Sequence, residues 1–297
     1  MYLFPETNLS SPPLLPGQPN DPRFRVHETL LEQGSGRVNE DSLAIAETLS
    51  VVCDGATSLH SAQSKTAEMI GSGGQEAARI TSSVFADAPK RDLLESVCRA
   101  NELIRETMID RGVDLLQRQQ LWSTSFAAVQ INGDSINWCQ TGDCMIFLVL
   151  DDGSGHILTE LPGQDRDVLK HWQQIGASAR EPIHQALARE IGAVRRMMNR
   201  EFGVLNGEKE ALDFVSYGTL SDDRIAEVLL FSDGLFPPSA TPDNPFDAEL
   251  FLRLYESGGL TNVRDHVRSL QSTDPGCYRY PRFKRFDDIS GIALKRY

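Results

Sequence analysis

The chain has 297 residues, with 42 acidic and 29 basic side chains and a formal net charge of −13. Such a surface repels nucleic-acid phosphates and anionic membranes, so it argues against a general binder of either. No apolar run approaches the ~20 residues that a membrane-spanning helix needs, and the first residues lack the features of a secretory signal. The five cysteines contain no CxxC pair, which is typical of reduced thiols. We therefore expect a soluble cytoplasmic protein.

Two regions differ in composition. Residues 1–25 are rich in proline and show little periodic apolar signal, so they predict an extended N-terminal arm. Residues 26–297 contain no low-complexity linker and no repeat, and we expect them to form one domain.

Short apolar runs that end in turn residues predict strands at Leu43–Ala46, Leu49–Cys53, Ser125–Ile131, Ile136–Thr141, Met145–Leu150, Val228–Ser232 and Ile289–Leu294. Helical spacing predicts helices at Ala62–Val84, from about Arg91 onward, and at Asp165–Ile175, Pro182–Phe202, Ala248–Ser257 and Val263–Leu270. Strands thus come in groups, with pairs of helices between them. This order favours an α+β sandwich of antiparallel sheets covered by helices, with a parallel doubly wound sheet as the alternative.

Acidic residues stand at the ends of the predicted strands, in Glu40-Asp41, Asp54-Gly55, Gly142-Asp143, Asp233-Gly234 and Asp287-Asp288. A single Asp-Gly pair most often marks only a turn. If these sites converge, however, their mutual repulsion must be offset, and a divalent cation is the usual means. The donors are all oxygens, and the six histidines show no ligand spacing. Mg²⁺ or Mn²⁺ is therefore favoured over Zn²⁺.

The order of these motifs resembles that of the metal-dependent serine/threonine protein phosphatases (PPM, or type 2C), in particular bacterial members. The resemblance runs from about Gly34 to the C-terminus, through Asn39-Glu40-Asp41-Ser42, Asp54-Gly55, Thr141-Gly142-Asp143, Ser232-Asp233-Gly234 and Asp287-Asp288-Ile289-Ser290. It implies a four-layer α-β-β-α sandwich. It also implies a monomeric enzyme that removes phosphate from phosphoserine and phosphothreonine in proteins and so opposes a kinase.

The resemblance further implies a binuclear Mn²⁺ or Mg²⁺ centre. Asp54 would bridge both ions, with Glu40 and the Gly55 carbonyl on one ion and Asp233 and Asp287 on the other. A hydroxide that bridges the two ions would attack the phosphorus atom directly, so no covalent phosphoenzyme is needed.

Other positions are given roles by the same resemblance. Asp41 would hold a metal-bound water, and Asp143 would help Asp233 to bind a third, weaker ion. Arg37 would bind the substrate phosphate with its planar guanidinium, although it stands one position closer to the Asn-Glu-Asp motif than is common.

Residues 163–206 match the variable flap of these phosphatases. Four arginines fall on its predicted helix, at Arg189, Arg195, Arg196 and Arg200. A basic helix near a catalytic cleft could attract phosphorylated substrate. The alternative is an ordinary helix face paired with Glu190 and Glu201.

The sequence departs from the family pattern at two further places. The glycine pair that commonly follows Asp54-Gly55 is absent there, and Pro237-Pro238 stands where many members have an acid that supports the third metal. Two other functions therefore stay open. One is a catalytically weak module that binds phosphopeptides or partners, and the other is a two-metal hydrolase of small phosphoesters.

Overall fold

The computed structural model describes residues 23–56, 72–179 and 181–297. Residues 1–22 of the predicted arm lie outside this part, as does the beginning of the helix predicted from Ala62. Within the described residues, no helix is both long enough and apolar enough to cross a membrane.

The described strands form two antiparallel sheets of five strands each, with the orders β1-β10-β9-β6-β7 and β2-β3-β4-β5-β8. The strands are β1 (Phe24–Glu32), β2 (Ser42–Ile45), β3 (Leu49–Gly55), β4 (Thr124–Asn132), β5 (Ser135–Thr141), β6 (Met145–Leu150), β7 (Gly155–Ile157), β8 (Ser216–Ser221), β9 (Ile225–Phe231) and β10 (Ile289–Arg296).

The α-helices are α1 (Gly73–Asp87), α2 (Leu93–Asp110), α3 (Arg166–Ile175), α4 (Ile183–Ala186), α5 (Ala188–Arg195) and α6 (Ala248–Ser272). Ser72 and Asp92 begin α1 and α2 as caps, because their side chains accept hydrogen bonds from backbone N–H groups of the first turn. α6 is kinked at Gly258-Gly259, where Gly259 has a φ of 72° that favours glycine. The kink lies between the two helices that the sequence predicts in this region.

Apolar side chains fill the spaces between four layers. Val52 and Leu230 are among the fully buried residues between the two sheets. Phe85 of α1 is buried against the outer face of the second sheet, which α1 and α2 cover. On the outer face of the first sheet, Phe251 of α6 stacks on Phe231 with ring centroids 4.5 Å apart. This α-β-β-α arrangement confirms the expected fold and excludes the parallel alternative.

Strand pairing places several acidic residues at the same end of the strands of the first sheet. Met145 and Gly291 both lie opposite Phe231, the last residue of β9. The acids near these positions therefore leave the sheet at the same end, and they are Asp143, Asp233, Asp287 and Asp288.

Strand β1 is absent from the sequence prediction, which extends the arm to Arg25. The covered face of β1 carries two acids where an apolar pattern would be expected. Glu28 accepts hydrogen bonds from the backbone N–H groups of Leu260 and Thr261, at 2.8 and 2.9 Å, just after the kink in α6. Glu32 binds arginines of the same helix. These partners are distant in sequence, so local periodicity did not reveal the strand. The short β7 and the largely polar β8 are also absent from the prediction.

The single helix predicted over Pro182–Phe202 is wrong. Leu187, with φ −116° and ψ 27°, separates α4 from α5. Asn199 then adopts a φ of 53°, in the left-handed region that asparagine tolerates better than most residues. Its side chain supports this turn by accepting a hydrogen bond from the Val204 N–H at 3.0 Å.

Candidate metal centre

Acidic side chains from both sheets meet at this end of the strands. Burial, together with the negative charges of Asp41, Asp143 and Asp287, raises the pKa of Asp54 well above its usual range. Burial and the charges of Asp54, Asp143 and Asp287 do the same to the pKa of Asp233. The structure thus brings together acids that the sequence places far apart.

The carboxyl groups of Asp54 and Asp233 also interact directly, and this interaction adds to the rise in the pKa of Asp233. Two ionised carboxylates at short range repel each other, because neither carries a proton to donate. Burial and this repulsion therefore act in the same direction on both acids.

The Asp54-Gly55 turn lies against the first turn of α1. A Cβ atom at Gly55 would stand 2.3 Å from the carbonyl oxygen of Gly74, which is too close for any side chain. A Cβ atom at Gly74 would in turn stand 2.6 Å from the carbonyl oxygen of Ala56. Gly55 and Gly74 thus allow the Asp54-Gly55 turn and the start of α1 to pack backbone against backbone.

Asp41 is held at the centre by two serines. The Ser232 and Ser290 hydroxyls donate to its Oδ2 atom at 2.6 and 2.8 Å, and the residue is only 7% exposed. Burial raises the pKa of Asp41 to about 8, although the two serine hydrogen bonds oppose the shift. Its Oδ1 atom accepts no hydrogen bond from the described residues, so this oxygen is available to a ligand at the centre.

The Glu40 carboxylate is bound on both of its oxygens. The Ser72 hydroxyl donates to Oε1, and the Lys284 ammonium lies 3.3 Å from Oε2. The same ammonium donates to Asp287 Oδ1 at 2.8 Å. Burial alone would lower the pKa of Lys284, but Asp287 and Glu40 raise it above its usual value, so this side chain carries a positive charge. Lys284 belongs to none of the sequence motifs described above.

Asp288 has a structural role distinct from that of Asp287. It is 2% exposed, and its two oxygens accept hydrogen bonds from the N–H groups of Gly34 and Glu40, at 2.7 and 2.9 Å. Asp288 therefore ties the start of β10 to the loop after β1 and fixes the backbone that carries Glu40.

We expect Asp288→Ala to lower the free energy of unfolding by about 2 kcal/mol, because it leaves two N–H groups without their acceptor. Denaturation by urea in the presence of chelator measures this loss. Asp265→Ala is the matched control, since Asp265 is exposed and contacts Arg264 on the surface, and its loss should cost less than about 1 kcal/mol. Equal effects of the two substitutions would contradict this role of Asp288.

Two further charged residues come from the flap. Arg195, at the end of α5, is 8% exposed and donates to the Ala56 carbonyl oxygen at 3.2 Å, next to the Asp54-Gly55 turn. Burial lowers the pKa of Arg195, while the charges of Glu40 and Asp165 oppose this shift. Burial and the nearby Asp143 raise the pKa of Asp165 to about 7. Asp165 immediately precedes α3, but its side chain makes no capping hydrogen bond. Nothing local in the sequence distinguishes it from an aspartate that caps a helix.

The other three flap arginines, Arg189, Arg196 and Arg200, are exposed. The four arginines therefore do not form one basic helix face. Arg195 lies at the acidic centre, and the other three side chains are exposed to solvent. Arg37, which the resemblance assigned to the phosphate, is also exposed and makes no hydrogen bond or ion pair with the described residues. Its role stays a prediction.

The residues of the centre fit a divalent cation in chemistry and in charge. They offer carboxylate oxygens and the Gly55 carbonyl, the donors that Mg²⁺ and Mn²⁺ prefer. Within the described part of the chain, no three acidic, histidine or cysteine side chains stand ready around one point to hold an ion. Contacts within the chain already engage several of these oxygens, since Ser72 and Lys284 bind Glu40 and Lys284 also binds Asp287.

The chain matches no protein-family model and no curated protein sequence, but its fold is found in solved structures. The serine/threonine phosphatase PstP/Ppp of Mycobacterium tuberculosis superimposes with a TM-score of 0.56 at 17% sequence identity, covering 92% of this chain and 98% of that one. The catalytic domain of PstP in complex with two manganese ions gives the same TM-score and identity. The phosphatase Stp1 of Staphylococcus aureus gives a TM-score of 0.55 at 14% identity, covering 97% of this chain and 100% of that one.

A fourth similar structure is the PPM Ser-Thr phosphatase MsPP of Mycobacterium smegmatis in complex with cacodylate, with a TM-score of 0.53 at 19% identity. It covers 91% of this chain and 97% of that chain. The fold of this chain is therefore the fold of bacterial PPM phosphatases over nearly its whole length, as the motif order led us to expect.

Proposed function

We propose that this chain is a PPM-type protein phosphatase that hydrolyses phosphoserine and phosphothreonine with the help of Mn²⁺ or Mg²⁺. The observation that carries the proposal is the convergence of acidic residues from both sheets at one end of the strands. These residues are Asp41, Asp54, Asp143, Asp233 and Asp287. Burial and their mutual repulsion raise the pKa of Asp54 and Asp233, and a bound cation would relieve this repulsion. The manganese ions in the PstP structure support the choice of metal.

Asp54, Asp233 and Asp287, with Glu40 and the Gly55 carbonyl, are the groups that would hold two ions, and Asp143 and Asp233 would hold a third. When bound, a pair of divalent ions lowers the pKa of water and neutralises charge on the transferring phosphoryl group. The chain's own contribution is rigidity, since the turn that carries Asp54 is fixed by Gly74, and the backbone of Glu40 is fixed by Asp288.

Asp41 would orient the attacking water. Ser232 and Ser290 occupy its Oδ2 atom, so Oδ1 is left to accept a hydrogen bond from that water. The position of both serines on the same oxygen supports this choice of Oδ1.

We expect Arg37→Ala to reduce kcat/KM for a phosphopeptide ~10- to 150-fold if Arg37 binds the phosphate, since a charge-assisted bidentate contact contributes ~1.5–3 kcal/mol. Steady-state kinetics at saturating Mn²⁺ measure the change, with Arg99→Ala on the exposed face of α2 as the control. A loss of less than about threefold would show that another group, for which Arg195 is well placed, binds the phosphate instead.

The experiment that tests the function is phosphate release from a panel of substrates with and without Mn²⁺. Phosphoserine and phosphothreonine peptides should be hydrolysed only with the metal, and faster than nucleotides or sugar phosphates. Preference for the small phosphoesters would favour the alternative two-metal hydrolase.

A second candidate function is a catalytically weak module that binds phosphopeptides. The exposed position of Arg37 and the engagement of Glu40 by Lys284 favour it. Metal-dependent binding of a phosphopeptide without phosphate release would support this reading. In either case we propose that the protein is a cytoplasmic monomer that binds phosphorylated proteins and opposes a serine/threonine kinase. Its net charge of −13 argues against binding to nucleic acids and membranes.

A further inference from the structure

Lys284 lies inside the carboxylate centre. Its ammonium is 2.8 Å from Asp287 Oδ1, 3.3 Å from Glu40 Oε2 and 3.9 Å from Asp288 Oδ2, and its side chain is only 24% exposed. It therefore links Glu40 with Asp287, two acids that would serve different metal ions in the proposed function.

The loop that carries Lys284 is firmly held. Arg282 donates to the Asp274 carboxylate at 3.0 Å and to the Asp274 carbonyl oxygen at 2.6 Å. On the other side of Lys284, the Phe286 carbonyl oxygen accepts the Ser35 N–H at 2.8 Å, and Arg268 donates to the Asp287 carbonyl oxygen at 2.8 Å. The backbone of Lys284 is thus fixed at the centre, and only its side chain can leave.

Charge explains why a lysine is tolerated there. Buried carboxylates at short range repel one another, and a cation among them stabilises the folded chain when no metal is bound. An ammonium and a divalent ion cannot both approach the same Glu40 and Asp287 oxygens, because their positive charges repel each other strongly at such distances.

We propose that Lys284 is the built-in counter-cation of this centre, and that a divalent ion binds by displacing its ammonium from Glu40 and Asp287. This inference rests on the proposed function for the identity of the ligand, but it concerns metal affinity rather than catalysis. On this proposal, Lys284 stabilises the chain in the absence of metal and weakens metal binding.

The test is isothermal titration of the full chain with Mn²⁺ alone, without substrate. Lys284→Met should bind Mn²⁺ at least tenfold more tightly than the wild type, and its melting temperature in chelator should fall. Lys295→Met is the matched control, since it removes the same charge from an exposed lysine that pairs with Glu227 at 3.2 Å. Its Mn²⁺ affinity should stay close to that of the wild type.

Lys284→Gln provides a second variant should the methionine variant fail to fold without metal, because glutamine keeps a hydrogen-bond donor but no charge. It too should bind Mn²⁺ more tightly. An affinity that is unchanged or weaker in the Lys284 variants overturns the inference.

Phosphate release by the wild type separates this inference from the proposed function. If the wild type hydrolyses phosphopeptides but Lys284→Met binds Mn²⁺ with unchanged affinity, only the role of Lys284 is overturned. If the variant binds Mn²⁺ more tightly while the wild type shows no phosphatase activity, the role of Lys284 stands and the proposed function does not.

Discussion

Asp54→Ala is expected to abolish phosphopeptide hydrolysis, with a loss of at least about 1000-fold in kcat at saturating Mn²⁺, because several kcal/mol of transition-state stabilisation depend on the metals. The fold should survive the change. Asp54 is a half-buried acid whose pKa is raised by desolvation and by neighbouring acids, so its removal takes away a repulsive charge rather than a packing contact. We therefore expect the melting temperature in chelator to be unchanged or higher.

Asp134→Ala is the control for Asp54→Ala. Asp134 is exposed and pairs with Arg23 at 2.6 Å, away from the centre. Its loss should leave phosphate release intact. Turnover by Asp54→Ala within about tenfold of the wild type would contradict the assignment of Asp54 as the bridging ligand, since so small a loss leaves most of the metal contribution in place.

The stability of the metal-free chain is expected to fall as the pH rises from 6 to 8. The pKa of Asp41 is about 8 in the folded chain and about 3.9 in an unfolded one. Between these values the folded chain binds more protons than the unfolded chain, so the free energy of unfolding decreases with rising pH. Asp41 alone should contribute a loss of about 2 kcal/mol over this interval. The raised pKa values of Asp54 and Asp233 act in the same direction.

Urea denaturation in chelator at pH 6, 7 and 8 measures the slope of the free energy of unfolding against pH. Asp41→Asn should make it shallower, because asparagine cannot ionise but can still accept the hydrogen bonds of Ser232 and Ser290. Saturating Mn²⁺ should also reduce the slope, since the bound ion keeps the acids ionised throughout. Stability that rises from pH 6 to pH 8 in chelator would show that the acids do not repel one another as the structure indicates.

Much of the fold could be predicted from sequence because its central strands consist of continuous apolar runs, which are recognisable locally. The continuous apolar runs that become β3 and β6 identify strands without knowledge of their neighbours. β1 differs, because Glu28 and Glu32 face a helix that supplies N–H groups and arginines from more than two hundred residues away. No local pattern carries that information.

The carboxylates of the centre were predictable for a similar reason. Each follows or precedes a strand, and the strand ends fix where Asp54 and Asp233 lie. The two basic side chains at the centre, Lys284 and Arg195, could not be predicted from the sequence. Lys284 and Arg195 lie in irregular segments or at the end of a short helix, and they enter the centre only because distant contacts hold those segments in place.

The contact between Gly55 and Gly74 could not be predicted from motif spacing. The two glycines pack against each other although residues 56–73 lie between them in sequence. This is a tertiary contact, and the sequence alone indicates only that Gly74 lies near the start of a helix.

A crystal structure of the chain soaked in Mn²⁺, with the ions located by their anomalous scattering, would show whether these acids bind metal. We expect manganese peaks in contact with Asp54, with at least one of them also in contact with Asp233 or Asp287, and we expect the Lys284 ammonium to have left Glu40. If no manganese is found near Asp54 and Lys284 still lies between Glu40 and Asp287, the proposed metal centre is wrong.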